Sequence, residues 1–126
     1  MIDQKQYERF VELIHEGNSL ADTDLSYIKE IVREEKIKTI EDFSTKISIL
    51  YRELAVISND LIKGFLEEKR ILEASAIEKI SNNTLNRLAS RKSSMHSLLV
   101  TFKNDYLMKY IERTDFDEDE NDIKIN

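Results

Sequence analysis

The chain has 126 residues and a net charge of −6, with 40% hydrophobic and 35% charged side chains, no cysteine, no proline and two glycines. That balance is too apolar for a disordered chain and too charged for a membrane protein, and at this length it supports one hydrophobic core. The missing cysteines exclude a disulfide framework and thiolate chemistry, and the near-absence of turn residues argues against β-meanders, sandwiches and glycine-rich phosphate loops.

An all-α protein is therefore expected. No window approaches the roughly 18 consecutive apolar residues of a spanning helix, and residues 1–17 interleave Asp3, Lys5, Glu8, Arg9 and Glu12 with apolar positions, unlike a signal peptide. These features predict a cytoplasmic protein that does not engage a membrane.

Tyr7, Phe10, Val11 and Ile14 recur at helical spacing and predict a short helix over about 3–16, with Gly17-Asn18 as its stop. Asp22 or Thr23 can cap a second short helix over about 23–36, whose apolar face carries Leu25, Ile28, Ile31 and Val32. Thr39 and Asp42 then resemble a capping box that opens a long helix over about 40–80. Its seam, Phe43, Ile47, Leu50, Leu54, Ile57 and Leu61, alternates spacings of four and three, the pattern of packed helices. The seam slips where Gly64 and Glu68 take the next two positions, as a phase shift would produce.

The small polar cluster Ser81-Asn82-Asn83-Thr84 is the one break signal before a second long helix over about 84–113, with Leu88, Met95, Leu99 and Phe102 along its seam. A turn there folds the two long helices into an antiparallel coiled-coil-like hairpin or bundle, and its absence leaves one rod that needs a second chain. The hairpin is favoured. Residues 114–126 form an acidic tail with few apolar positions, expected to be disordered.

Charge is uneven along the chain. The net is −6 over residues 1–78, +5 over 79–110 and −5 over 111–126. The basic second long helix allows a nucleic-acid reading through Arg87, Arg91, Lys92, Lys103 and Lys109, with the acidic tail competing for the same surface. These cations straddle the seam, however, which suits ion pairs with acidic neighbours such as Glu53, Asp60 and Glu67 better than a phosphate track. A turn near 80–83 also sets the two polar intruders of the seams, Glu68 and Lys92, at similar heights as a possible buried pair.

No catalytic, metal or cofactor site emerges. Asp115, Asp117 and Asp119 alternate like the start of a calcium loop, but Glu120 stands where the loop needs glycine and Asn126 where it needs a bidentate glutamate. His15 and His96 have no second ligand at helical spacing, and Ser97 beside His96 points about 100° away from it. A helix-turn-helix through Lys36-Ile37-Lys38 would present Glu41 and Asp42 to phosphates. The expectation is a non-enzymatic helical interaction module, an adaptor, inhibitor or small regulator of a partner protein, working as a homodimer through the seam. Ile49, Val56, Ile62 and Leu66, which lie off that seam, supply apolar surface beyond the needs of one hairpin.

Overall fold

The structure, a computed structural model, describes the backbone of residues 2–115 and the side chains of residues 2–105. Three helices, α1 (Gln4–Ala21), α2 (Arg33–Glu67) and α3 (Ile71–Asp115), and a short 3₁₀ turn (Ser26–Glu30) make up the architecture, with no strand among the described residues. α2 and α3 form an antiparallel hairpin, and α1 packs along one flank of it, antiparallel to α2.

α1 begins where Asp3 accepts hydrogen bonds from the backbone N–H groups of Lys5 and Gln6, covering donors that have no helical partner. It does not stop at Gly17 as the sequence predicts. A Cβ at Gly17 would lie 2.6 Å from Thr84 Cγ2 and 3.3 Å from Leu88 Cδ1, so the glycine serves close approach of α1 to α3. Asn18, one residue on, accepts hydrogen bonds from Thr84 Oγ1 (3.0 Å) and Arg87 (2.8 Å).

The second short helix over 23–36 is absent as such. Asp22 closes α1, Thr23 donates its hydroxyl proton to the Ser19 carbonyl, and Asp24 accepts from the Ser26 N–H, which bends the chain into the 3₁₀ turn. α2 then starts at Arg33, seven residues before the expected helix, so Thr39 and Asp42 are interior and cap nothing. Lys36-Ile37-Lys38 is helical, which removes the connection a helix-turn-helix would need.

The hairpin exists, but its turn is Glu68-Lys69-Arg70. The Arg70 N–H donates to the Phe65 carbonyl (2.8 Å) and the Lys69 N–H to that of Leu66 (2.9 Å), with Lys69 left-handed at φ 61°. This is a Schellman closure with lysine where glycine is usual, and the Arg70 guanidinium lies 4.8 Å from the Phe65 ring centre in place of an apolar clasp. α3 runs straight through Ser81-Asn82-Asn83-Thr84. Ser81 and Thr84 are buried there, and Ser81 returns its hydroxyl proton to the Ile77 carbonyl, so this polar cluster belongs to a helix–helix contact and not to a loop.

With the turn displaced, the proposed Glu68–Lys92 pair dissolves. Glu68 caps α2 and pairs with Arg70 (3.4 Å), whereas Lys92 lies 21 residues into α3, about 30 Å along its axis at 1.5 Å per residue.

The core sits between the three helices. Ile47, Leu50, Leu54, Ile57, Leu61 and Phe65 of α2 meet Ala74, Ile77 and Leu88 of α3 and Phe10 and Leu13 of α1. At the end far from the turn, Ile28 of the 3₁₀ turn, Ile40 and Met95 form a second cluster, with Phe43, Leu99 and Phe102 half-buried against it. Each fully buried Leu or Ile contributes about 1.5–3 kcal/mol of transfer free energy. The seam expected to bind a second copy is thus occupied within one chain.

Candidate interaction groove

A helical hairpin has two flanks, and α1 covers one. The uncovered flank holds an open groove of about 800 Å³ between α2 and α3, floored by Ile47. Ser48, Tyr51, Arg52 and Ala55 follow one another along α2 at the spacing that keeps a single face, and Ala89, Lys92, Ser93 and His96 do the same along α3. Four of these eight are alanine or serine, so both banks are low. Val56, 56% exposed, completes the apolar bank on α2.

The charge of the groove differs from that of the chain. Arg52, Lys92 and His96 line it and, among the described residues, no carboxylate does, in a protein whose net charge is −6. Neither Arg52 nor Lys92 makes an ion pair or hydrogen bond among the described residues. Carboxylates border it on two sides: toward the start of α2, where Glu41 pairs with Lys103 (3.5 Å) and Asp42 with Lys38 (3.2 Å), and over the outer edge of Arg52 and Val56, where Glu53 and Asp60 are engaged by Arg9 and Gln6.

On the covered flank the polar groups are matched across the helices. Arg9 of α1 meets Glu53 of α2 through two nitrogens at 2.8 and 2.9 Å, a bidentate contact that holds the Glu53 carboxyl below its ordinary range and the guanidinium above its own. Gln6 donates to Asp60 at 3.2 Å. Two of the acidic side chains expected to pair with the basic long helix therefore face α1 instead.

The five cations singled out for nucleic acid are dispersed. Arg87 binds Asn18 and Asp22, and Arg91 donates to the Thr23 carbonyl with its guanidinium 5.8 Å from the Phe43 ring centre; both tie α3 to the end of α1. Lys103 pairs with Glu41, Lys92 lines the groove, and the Lys109 side chain lies outside the described residues. So do the acidic run from Asp117 onward and the loop-like Asp115, Asp117, Asp119 series, apart from the backbone of Asp115.

Among the described residues no cluster of three or more His, Asp or Glu could hold a metal ion, and no helix is long and apolar enough to cross a membrane. The sequence marked Val56 as surplus apolar surface and Lys92 as a candidate contact, but not Arg52, Ala55 or Ala89, whose meaning depends on knowing which residues of α3 stand opposite α2. No family model, curated protein or solved structure matches this chain.

Proposed function

We propose that this chain is a non-enzymatic helical interaction module, an adaptor, inhibitor or small regulator, and that it works by receiving a helix of a partner protein on the open flank of the α2–α3 hairpin. The observation that carries this reading is the groove itself: a long apolar trough with low banks, on the side of the hairpin opposite the helix that fills the other side. A further apolar side chain, Ile49 at 58% exposed, lines the continuation of the groove toward the start of α2.

The homodimer expected from the seam loses its basis, because Ile47, Leu54 and Leu61 are buried by α1 and α3. On the present reading the free protein is a monomer by light scattering. The nucleic-acid alternative is weaker too, since Arg87 and Arg91 have internal partners. The test is site-specific photo-crosslinking from Val56 in the native cell, with a second probe at Glu12 on the outer face of α1 as control. The reading expects a defined adduct from Val56 and none of the same mass from Glu12. Equal adducts from both positions would sink it.

A further inference from the structure

Resting on that reading, we infer the chemistry of the occupant: an amphipathic helix of another protein whose apolar stripe is flanked by carboxylates. The small side chains Ala55 on one bank and Ala89 on the other leave room for a helix backbone to descend between α2 and α3, as α1 does on the other flank. Once seated, its two edges lie beside Arg52 on one bank and Lys92 and His96 on the other. Two cations without ion-pair partners among the described residues, and an imidazole, with no described acid in the lining between them, select Glu or Asp at those edges and repel Lys or Arg.

Two other occupants fit less well. A second copy related by a two-fold axis through the groove would set Arg52 and Lys92 against the same cations of its mate, since such an interface is self-facing. Nucleic acid would find an apolar floor and Glu41 and Asp42 at one end.

A display library decides between these. Its members are amphipathic helices about 20 residues long, enough to span roughly 30 Å, with a common apolar face and Glu, Gln or Lys at random along both edges. The library is selected against the full chain and, in parallel, against Ala89→Trp, whose indole fills the trough; Ser93→Trp on the rim serves the same arm should circular dichroism show the first variant poorly folded. The inference expects winners that the Trp variant fails to retain, with Glu enriched over Lys at the edges by about tenfold. A winning peptide, made synthetically, should bind the Arg52→Glu/Lys92→Glu protein about tenfold more weakly, and weaken with added salt. Groove-dependent winners with Lys edges, or with no edge preference, would overturn the acidic occupant and leave the interaction module standing. No winner sensitive to either Trp variant would overturn both. Oligo-dT bound more tightly than any peptide, and released by Lys92→Glu, would assign the groove to nucleic acid and also overturn the inference.

Discussion

Along the flank of the hairpin that faces α1, three close approaches have matching devices: a glycine at Gly17, an amide at Asn18, a bidentate ion pair at Arg9 and Glu53. Along the other flank the banks are also low, but Arg52 and Lys92 have no ion-pair or hydrogen-bond partner among the described residues and Val56 is exposed. The same pair of helices therefore offers two troughs, one completed in cis and one left open. What separates them is less the amount of apolar surface than the ion pair and hydrogen bonds that tie α1 to the first, because unmatched polar groups are what a partner must supply.

The comparison can be broken most forcefully at the floor the two flanks share. Leu54 is wholly buried, so Leu54→Ala should cost about 3 kcal/mol and lower the thermal midpoint by on the order of 10 °C. An unchanged melting curve would mean that the three-helix core is wrong. Next is the covered flank alone. Gly17→Ala should destabilise by about 1–2 kcal/mol despite the better helix propensity of alanine, because the buried, hydrogen-bonded Thr84 has little room to yield. Thr84→Ser removes the offending methyl and keeps the hydroxyl. In the double mutant most of the loss should be recovered, and strictly additive effects would show that α1 does not approach α3 at this point.

A smaller effect comes from the ion pair. A carboxylate whose folded pKa lies below its unfolded value adds stability above the unfolded pKa, and the contribution disappears as pH falls through the folded one. Glu53→Gln should thus cost under about 1 kcal/mol at pH 7, both partners being more than a third exposed, and the gap from wild type should close below about pH 4. A gap that persists at pH 3 in denaturant titrations would argue for packing and not charge. Least of all should happen on the open flank. Ala89→Leu is expected to stay within about 0.5 kcal/mol of wild type by chemical denaturation, whereas a cost like that at Gly17 would mean the trough is already filled.

The seam was legible in the sequence because its period survives into the structure: Ile47, Leu54, Leu61, Leu88 and Met95 are all buried. The turn was not. Ser81-Asn82-Asn83-Thr84 has the composition of a loop, but small hydroxyl residues also suit a tight crossing, and Ser81 and Thr84 lie where α3 is buried. The true turn, Glu68-Lys69-Arg70, contains no residue that favours a positive φ, so composition hides it. One signal did point there: the seam loses its phase at Gly64 and Glu68, and a reversal of the chain accounts for that better than a slip within one helix. Gly17 misled in the opposite way, read as a stop where it is a contact. Of the groove, Ile47, Val56, Lys92 and His96 drew notice in the sequence, each for another reason, and their meeting in one groove could not be read there, since its banks are defined by the register of a hairpin whose turn was misplaced.

The short link between α2 and α3 also bears on how the molecule is made. Three residues join those helices, so Phe65, Ala74 and Ile77 meet after closing a loop of about ten residues, while α1 reaches partners 44 to 69 residues away in Arg9–Glu53, Thr84–Asn18 and Arg87–Asn18. The hairpin should form first and α1 dock last, giving φ-values near one for Ile77→Val and near zero for Leu13→Ala; the reverse ranking would refute this order. During synthesis α1 leaves the ribosome before α2 and α3, and the residues it packs against at Thr84 and Leu88 follow more than 60 positions later. At about 5–20 residues per second its apolar stripe, Phe10, Leu13 and Ile14, stays uncovered for seconds, which makes the nascent amino-terminal helix the part of this protein most in need of a chaperone.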